Sequence, residues 1–388
     1  MDAENNTMNP PPLGLYIHLP WCVRKCPYCD FNSHKAEGSF DEEAYVKALL
    51  LDLDQELIGV EGRAIETVFF GGGTPSLFSG KAIDAILSGV RSRSNLLKEA
   101  EITLEANPGT FEQEKFEAFR SSGVNRLSIG VQSFQPEQLK RLGRIHGQSE
   151  ALEAFRVAKS IGFESINLDL MFGLPEQTLE EALMDVQTAL RLLPSHISYY
   201  QLTLEPNTFF YKYPPRLPGD ENTWMIQEAA QDLLREAGYS QYEVSAYARP
   251  EKKCRHNQSI WEFGDYLGIG AGAHGKISQP QEAIFTRTAK IKHPEHYMKA
   301  SQEGKSLGSR VMIDPKDLPF EFLMNALRLR LGFQESLFEE RTGLSIHVLE
   351  PLLSQSIEEG LLIKDQGRIH CSKTGFHFLD TILQRFLP

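Results

Sequence analysis

The stretch Cys22-Val23-Arg24-Lys25-Cys26-Pro27-Tyr28-Cys29 places three cysteines within eight residues, directly after the first apolar run of the chain. Cysteines this close together in an intracellular protein are more often metal ligands than disulfide partners. Structural zinc takes four ligands, and His18 or His34 is the available fourth donor. Soft thiolates also select iron–sulfur clusters, and three thiolates on a four-iron cluster leave one iron open to a small molecule. The spacing therefore predicts a metal site, with an open iron–sulfur cluster favoured over zinc.

Six apolar, β-branched or aromatic runs alternate with stretches whose apolar residues recur at helical spacing. The predicted strands are Leu15–Leu19, Glu66–Phe70, Glu101–Ala106, Arg126–Gln132, Ser165–Phe172 and His196–Leu204. The predicted helices are Asp41–Leu57, Gly80–Val90, Phe111–Ser121, Gln148–Ile161 and Leu179–Leu193. Strands that alternate with helices form right-handed βαβ units and a parallel sheet. This pattern allows either an open, doubly wound sheet or a barrel.

Polar or glycine-rich residues end the predicted strands. These ends are Gly71-Gly72-Gly73-Thr74-Pro75, Glu105-Ala106-Asn107-Pro108, Gln132-Ser133, Asp169 and Gln201. Any one of them could be a helix cap or a turn residue. In βα barrels, however, the carboxyl ends of the strands converge on one site, and five polar ends in succession favour that arrangement. We therefore expect a barrel with one ligand site at its carboxyl-terminal mouth.

The sequence divides into four predicted regions. Residues 1–12 are predicted to be a disordered tail, residues 13–210 the barrel, residues 211–310 a linker and barrel-flanking segment, and residues 311–388 a small winged-helix-like domain. The last region combines helices that have apolar faces with a short hairpin over residues 361–370. Its basic and acidic residues are nearly balanced, so we expect it to be a structural or protein-contact module.

Composition and charge exclude several classes of protein. Hydrophobic residues make up 41% and charged residues 24% of the chain, which are ordinary values for a globular protein and exclude wholly disordered or coiled-coil chains. No apolar run is long enough to span a membrane, and the polar, proline-rich start does not resemble a secretory signal. The 40 basic and 52 acidic residues give a net charge of -12, which argues against nucleic-acid binding. We therefore expect a cytoplasmic protein with no integral membrane segment.

Cys22, Cys26, Tyr28 and Cys29 match the signature of the radical S-adenosylmethionine (SAM) superfamily. Five further segments, in order, resemble the oxygen-independent coproporphyrinogen dehydrogenase family and its relatives, the HemW-type heme chaperones. These segments are Gly71-Gly72-Gly73-Thr74-Pro75, Glu105-Ala106-Asn107-Pro108, Gly130-Val131-Gln132-Ser133-Phe134, Leu142-Gly143-Arg144, and Asn167-Leu168-Asp169-Leu170 with Phe172-Gly173-Leu174-Pro175. The resemblance covers nearly the whole chain. It implies an α/β fold, a partial (β/α)6 radical-SAM barrel with the cluster at its open end.

The resemblance also implies a role for each matched residue. Cys22, Cys26 and Cys29 would bind a 4Fe-4S cluster whose open iron is chelated by the amino and carboxylate groups of SAM. The residues implied to contact SAM are Tyr16, Tyr28, Gly72, Gly73, Thr74, Glu105, Gln132, Arg144 and Asp169. Glycine suits such a site because it permits close backbone approach, and arginine can bind a carboxylate through two hydrogen bonds. Ordinary core packing is the alternative for the two tyrosines.

Two features separate the dehydrogenases from the heme chaperones. Dehydrogenases carry a longer N-terminal segment and a further cysteine at the position of Phe31. The segment His256-Asn257-Gln258-Ser259-Ile260-Trp261 resembles the H-N-x-x-Y-W motif of the chaperone branch, with isoleucine in place of the tyrosine. His256 is then the candidate heme ligand, because neutral imidazole commonly ligates heme iron. Cys254 is the alternative ligand, and Trp261 and Tyr266 are candidate walls of the heme site.

The sequence therefore predicts a radical-SAM-type heme chaperone that binds a 4Fe-4S cluster, SAM and heme, transfers heme to recipient proteins, and has no dehydrogenase activity. The alternative is an oxygen-independent coproporphyrinogen III dehydrogenase, an enzyme that oxidatively decarboxylates two propionates of its substrate. A radical-SAM RNA-modifying enzyme is a third hypothesis, which the acidic charge balance disfavours. His274, His293 and His296 are expected to be structural or surface residues.

Overall fold

A parallel sheet forms the centre of the structure, a computed structural model that describes residues 10–36, 38, 40–60, 62–110 and 113–388. The strands are, in chain order, β1 (Leu13–Leu19), β2 (Trp21–Cys22), β3 (His34–Lys35), β4 (Ala64–Gly72), β5 (Asn95–Ala106), β6 (Arg126–Gln132), β7 (Ser165–Phe172), β8 (His196–Gln201), β9 (Ser240–Glu243), β10 (Ala246–Ala248), β11 (Asp265–Ile269), β12 (His274–Gln279), β13 (Ile284–Lys290), β14 (Leu307–Met312), β15 (Phe333–Gln334), β16 (Leu362–Asp365) and β17 (Arg368–Cys371). Strands β1, β4, β5, β6, β7 and β8 pair in parallel in that order, which confirms the six predicted strands and the predicted α/β fold with a parallel sheet.

Helices connect these strands and cover the outer face of the sheet. The α-helices are α1 (Glu42–Leu57), α2 (Gly80–Arg93), α3 (Gln113–Ser122), α4 (Pro136–Arg141), α5 (Gln148–Ser160), α6 (Leu179–Leu192), α7 (Phe209–Lys212), α8 (Asp220–Glu236), α9 (Arg255–Trp261), α10 (Pro294–Gln302), α11 (Leu318–Ala326), α12 (Glu335–Thr342), α13 (Leu352–Glu358), α14 (Lys373–His377) and α15 (Leu379–Arg385). Helix α6 shows why they form: Thr178 and Glu181 cap each other's backbone N–H groups, and Leu193 in the left-handed conformation ends the helix. The predicted start of α3, Phe111, lies outside the described residues.

The central sheet extends beyond the six predicted strands on both sides. Its order is β14-β13-β12-β11-β1-β4-β5-β6-β7-β8-β10-β9. Strand β11 pairs in parallel with β1, whereas β12, β13 and β14 continue the sheet in antiparallel pairing. Residues 211–310, predicted to be a linker and flanking segment, thus supply strands to the same sheet. Side chains from this segment, including Ile226, Leu234 and Ile269, are buried in the core of the barrel.

Alternate residues of each strand face opposite sides of the sheet. The outward side is apolar, and Leu15, Val68 and Leu168 are fully buried there beneath the helices. The inner face is lined by polar side chains, as described below for the site. Helix α9 lies against this inner face near the amino ends of the strands, because a Cβ on Gly14 would meet His256 at 3.1 Å. The barrel interior is therefore closed on one side by α9 and remains open at the carboxyl ends of the strands.

The C-terminal region forms a separate small core. Strands β15, β17 and β16 make a three-stranded sheet in that order, with antiparallel pairing. Helices α11, α12, α13 and α15 pack around it, and Phe322, Phe333 and Phe338 form its fully buried aromatic centre. Phe263 and Phe285 belong to the same core, so this domain is packed directly against the end of the large sheet. The arrangement of helices and hairpin matches the predicted winged-helix-like plan.

The start of the chain was predicted to be disordered over residues 1–12, and residues 1–9 lie outside the described part of the structure. Pro11 and Pro12 are held by hydrogen bonds from Arg63 Nη2 (2.5 Å) and from the Asp265 backbone N–H (2.9 Å) to their carbonyl oxygens. No helix in the described part of the chain combines the length and the hydrophobicity needed to cross a membrane.

Candidate functional site

Five of the parallel strands, β4, β5, β6, β7 and β8, line a cavity of about 330 Å³ toward their carboxyl ends, the central cavity. The predicted site residues that line it are Cys22, Cys26, Tyr28, Cys29, Gly72, Gly73, Thr74, Glu105, Gln132, Arg144 and Asp169. They come from β2, from the loop that follows it, from β4, β5, β6 and β7 at or near their carboxyl ends, and, for Arg144, from the connection between α4 and α5. The fold thus brings together residues far apart in sequence. Tyr16 and His256 lie elsewhere, in a neighbouring cavity.

The three cysteines line the central cavity, with Cys22 at the end of β2 and Cys26 and Cys29 on the loop that follows it, the cysteine loop. Cys22 belongs to β2, which pairs with β3, and its Sγ lies 3.6 Å from the carbonyl oxygen of His34. The Cys29 backbone N–H donates to the Cys26 carbonyl at 3.2 Å, which closes the turn between them. Burial raises the pKa of the Cys22 and Cys29 thiols, so free thiolates are unfavourable here without a bound cation.

The surroundings of the cysteines fit a cluster better than a zinc ion. Both ring nitrogens of His18 are engaged, Nδ1 with the Tyr16 hydroxyl at 3.0 Å and Nε2 with the Asn32 carbonyl at 2.9 Å. His34 Nε2 lies 3.3 Å from Asn32 Oδ1. Among the described residues, no three histidine, cysteine or acidic side chains converge closely enough to hold a single ion. A 4Fe-4S cluster is larger than one ion and suits an all-thiolate donor set, which this loop provides.

The glycine segment at the end of β4 forms a cradle beside this loop. The backbone N–H groups of Gly73 and Thr74 donate to the carbonyls of Leu19 and Trp21, at 2.8 and 2.7 Å. A Cβ on Gly73 would lie 2.5 Å from the Trp21 carbonyl oxygen, and Gly72 has a φ of +118°. Only glycine fits these two positions, because a side chain at either would collide with the chain that leads to Cys22 or strain the backbone.

Two carboxylates, Glu105 and Asp169, face the cavity from β5 and β7. Asp169 accepts hydrogen bonds from Ser128 Oγ (3.1 Å) and Asn167 Nδ2 (2.7 Å), which fix its position. Burial and the nearby Asp169 raise the pKa of Glu105 to about 8. Burial also raises the pKa of Asp169. Such a pair of desolvated acids favours a ligand that brings positive charge or hydrogen-bond donors, as the ammonium, sulfonium and ribose groups of SAM would.

Arg144 connects the cysteine loop to the barrel wall. Its Nη1 lies 3.6 Å from Cys26 Sγ, and its Nη2 donates to the Gly130 carbonyl at 2.7 Å. Its Nε is buried with no hydrogen-bond partner among the described residues. A buried guanidinium with an unsatisfied donor fits the carboxylate of a ligand bound at the open iron. Gln132, beside it, accepts a 2.7 Å hydrogen bond from the Tyr200 hydroxyl.

Sequence reasoning missed several polar residues of the central cavity. Ser128, Ser198, Tyr200 and Ser245 also line it. Ser198 and Tyr200 alternate along β8 with apolar residues, and this alternation was the available signal for inward-facing side chains.

A second cavity of about 640 Å³, the side cavity, lies next to the central one. Its wall is formed by β1, the loop 30–34, α9 and the segment from β11 to β12; Tyr16, His18, Asn32, His256 and His274 are among its lining residues. Lys25, Phe31 and Ser33 line both cavities, so the loop that carries the cysteines separates them. Tyr16, which was predicted to contact SAM near the cluster, also lines this cavity, and its pKa is raised first by burial and then by the charge of Glu105, a residue of the central cavity.

His256 is held firmly at the back of the side cavity. Its side chain is buried, with the whole residue 3% exposed, and its ring stacks on Phe69 at a centroid distance of 5.1 Å. Its Nδ1 lies 2.8 Å from Thr67 Oγ1, and its backbone N–H donates to Glu101 at 3.0 Å. Burial, together with Arg126, lowers its pKa to about 3, so the imidazole is neutral. A neutral imidazole whose Nδ1 is held by a hydrogen bond can bind a metal through the lone pair of its other nitrogen, Nε2.

The other residues of the predicted heme motif differ in their positions. Cys254 is fully buried, and its thiol lies 3.6 Å from a carboxylate oxygen of Glu101. Tyr266 lines the side cavity as expected, together with Ile260. Trp261 instead packs beneath the guanidinium of Arg328 at the contact with the C-terminal domain. The Cζ atom of Arg328 lies 4.3 Å from the centroid of the Trp261 ring.

Comparisons with known proteins agree with this geometry. The model of the Radical SAM superfamily matches residues 16–189, and that of the HemN C-terminal domain matches residues 313–378. The chain is 50% identical over 377 residues to the heme chaperone HemW of Escherichia coli strain K12, covering 97% of this chain and 98% of that protein. It is 46% identical to the heme chaperone HemW of Haemophilus influenzae, covering 97% and 98% of the two chains.

A solved structure, coproporphyrinogen III oxidase (HemN) from Escherichia coli, described as a radical SAM enzyme, superposes with a TM-score of 0.83. The match covers 98% of this chain and 91% of that one at 24% sequence identity, and it supports the fold. Radical SAM superfamily membership implies a 4Fe-4S cluster and SAM, for which the central cavity provides a fitting donor set. The chain therefore belongs to the HemW heme chaperone family of the radical SAM superfamily.

Proposed function

We propose that this chain is a heme chaperone that carries a 4Fe-4S cluster, binds SAM and heme, and transfers heme to recipient proteins. The observation that carries this proposal is the neutral, buried imidazole of His256, which is fixed through Nδ1 and lines a cavity beside the cysteine loop. The relatives named heme chaperones support it, because they match nearly the full length of this chain.

In this proposal Cys22, Cys26 and Cys29 hold the cluster. When bound, the cluster supplies an open iron that the amino and carboxylate groups of SAM chelate. Arg144 would orient the SAM carboxylate, and the cradle of Gly72, Gly73 and Thr74 would admit the methionyl end through close backbone approach. Glu105, Gln132 and Asp169 would bind the remaining polar groups of SAM, with Tyr28 packed beside the ligand.

The heme would bind through His256, whose Nε2 has no hydrogen-bond partner among the described residues. Cys254 is less suited than His256, because it is fully buried, it does not line the side cavity, and burial raises the pKa of its thiol to about 12. Tyr266 and Ile260 supply apolar surface. Trp261 packs under Arg328, so in this proposal it stabilises the contact between the domains and does not form a wall of the heme site.

Phe31 favours the chaperone over coproporphyrinogen III dehydrogenase activity. This residue occupies the position of the further cysteine of the dehydrogenases, and it is 60% exposed between the two cavities. A large, exposed apolar side chain at a cavity mouth suits a flat apolar ligand or a partner surface better than it suits a hydrophilic substrate with many carboxylates.

The partners in this proposal are heme-accepting proteins, and the location is the cytoplasm. The five cysteines are all free, as expected for a reducing compartment. The net charge of -12 disfavours nucleic acid as a partner.

A transfer assay tests the proposal. Protein with a reconstituted cluster is loaded with heme under anaerobic conditions, mixed with a heme-free acceptor protein, and heme movement is followed by absorbance. We expect heme to pass to the acceptor, and we expect no conversion of coproporphyrinogen III when SAM and a reductant are supplied. Turnover of coproporphyrinogen III without specific heme binding would contradict the chaperone proposal and show that the chain is a coproporphyrinogen III dehydrogenase.

A further inference from the structure

We infer that Tyr200 is a positioning residue of the central cavity: its hydroxyl holds the amide of Gln132 so that the Nε2 group is left for SAM. This inference rests on the proposed function, in which Gln132 binds SAM, and it adds a residue of β8 for which the sequence predicted no role. Both side chains line the central cavity, and the Tyr200 hydroxyl donates to Oε1 of Gln132 at 2.7 Å.

The backbone of Gln132 is irregular at the point where β6 ends. Its φ is +68°, a left-handed conformation that is uncommon for residues other than glycine. The pairing of β6 with β7 also shifts register between Gly130 and Gln132, where two residue steps of β6 pass against one of β7. Such irregularities re-aim a side chain, and strained backbone of this kind clusters at ligand sites. The strand end therefore presents the Gln132 side chain to the central cavity, although the residue is only 7% exposed.

The ring of Tyr200 is held in a small apolar cluster below the cysteine loop. Tyr28, Leu142, Met171 and Phe210 belong to the same cluster, and Met171 is the partner of Tyr200 in the pairing of β7 with β8. Burial raises the pKa of Tyr200, so the phenol keeps the proton that it donates. The hydroxyl is therefore a hydrogen-bond donor at a fixed position.

The Nε2 group is the part of the Gln132 amide that remains for a ligand. Oε1 is engaged by Tyr200, and Nε2 makes no hydrogen bond within the described part of the chain. A Cβ on Gly130 would lie 3.0 Å from this Nε2 and 3.6 Å from Nη2 of Arg144, so the two groups converge on the space beside Gly130. Gln132 is thus presented as a donor to an acceptor atom of SAM. Without the hydroxyl of Tyr200, the amide is free to rotate and to present its oxygen, which repels such an acceptor.

Calorimetric SAM titration of full-length, cluster-reconstituted protein, without reductant, tests this role. Tyr200→Phe removes only the hydroxyl and should weaken SAM binding about five-fold, which corresponds to the roughly 1 kcal/mol that one hydrogen bond contributes. The matched control is Tyr199→Phe, the same change at the neighbouring residue of β8. Tyr199 is buried, and its hydroxyl has no hydrogen-bond partner among the described residues, so this variant should bind SAM like the parent protein.

A double-mutant cycle separates positioning from packing. Gln132→Asn keeps an amide and tolerates the left-handed conformation, but its side chain is one methylene shorter and does not reach the Tyr200 hydroxyl. Tyr200→Phe should weaken SAM binding about five-fold in the parent protein and leave the affinity of Gln132→Asn unchanged. Equal losses in both backgrounds would overturn the positioning role, because Tyr200 would then act independently of Gln132.

The same titrations separate this inference from the proposed function. If the parent protein binds SAM and Tyr200→Phe binds it equally well, the positioning role of Tyr200 is overturned while the proposed SAM site stands. If the parent protein binds no SAM although its iron–sulfur cluster is assembled, the proposed SAM site fails and this inference fails with it.

Discussion

Nδ1 of His256 lies 2.8 Å from Oγ1 of Thr67, a residue 189 positions earlier in the chain. The contact joins α9 to the inner face of β4 and leaves Nε2 as the nitrogen available to iron. A histidine that ligates a metal usually donates its other N–H to a nearby acceptor, which fixes the ring and increases its basicity. If His256 ligates heme as proposed, Thr67 is therefore its positioning residue.

Replacing Thr67 with valine removes this acceptor while keeping the shape of the side chain. We expect Thr67→Val to weaken heme binding by roughly 10-fold, the lower end of the usual effect of such partners on metal affinity. Thr67→Ser retains the hydroxyl and should restore the parent affinity and the parent Soret spectrum. A valine variant whose titration and spectrum both match the parent protein would show that Thr67 only packs against the ring.

The cysteine loop makes a separate prediction. Replacing Cys22, Cys26 and Cys29 together with alanine should reduce the iron content of anaerobically reconstituted protein to background and remove the iron–sulfur absorbance. Cys371→Ser is the matched control, since this cysteine is buried in the C-terminal domain and should leave iron content unchanged. Iron retained by the triple variant would refute the assignment of the ligands.

The glycine cradle predicts a local steric effect. Gly73→Ala places a Cβ 2.5 Å from the Trp21 carbonyl oxygen, a backbone atom that can move only if the approach to Cys22 moves with it. We expect lower cluster occupancy, weaker SAM binding, and a loss of about 1–3 kcal/mol in the free energy of unfolding.

Gly59→Ala is the control for that experiment, because nothing lies within 4 Å of a Cβ at this position. Chemical denaturation, iron analysis and calorimetric SAM titration check the two variants side by side. The cradle has no steric role if Gly73→Ala and Gly59→Ala give the same stability and the same SAM affinity.

Glu105 predicts a dependence of stability on pH. Burial and Asp169 raise its pKa from 4.5 to about 8. Between these values the folded protein keeps a proton that the unfolded chain releases, so the free energy of unfolding falls as pH rises through this window. Glu105→Gln is neutral at every pH and should become more stable relative to the parent protein as pH rises. Denaturation curves at both ends of the window test this, and parallel curves for the two proteins would contradict it.

The barrel and its central site could be predicted because their signals are local. Each strand and helix shows its own periodicity, and the polar ends of β4, β5, β6 and β7 mark the mouth at which parallel strands converge. The close spacing of the cysteines predicted a metal site, and the family resemblance predicted that Arg144 contacts SAM. In the structure, Nη1 of Arg144 lies 3.6 Å from Cys26 Sγ.

The side cavity could not be predicted, because it depends on contacts between distant segments. Strand β11 pairs with β1, which brings Tyr266 and His274 beside Tyr16 and His18. No periodicity in residues 211–310 indicates that they join the edge of a sheet formed by the first half of the chain. The same long-range packing placed Trp261 against Arg328.

The most direct test of the account is an anaerobic titration of cluster-reconstituted protein with heme, followed by absorbance, for the parent protein and for His256→Gln. We expect saturable binding near one heme per chain in the parent protein. We expect the variant to lose the imidazole-ligated spectrum and most of its heme affinity, while it keeps its iron–sulfur absorbance and still binds metal-free protoporphyrin IX. An unchanged heme spectrum and affinity in His256→Gln would contradict the account.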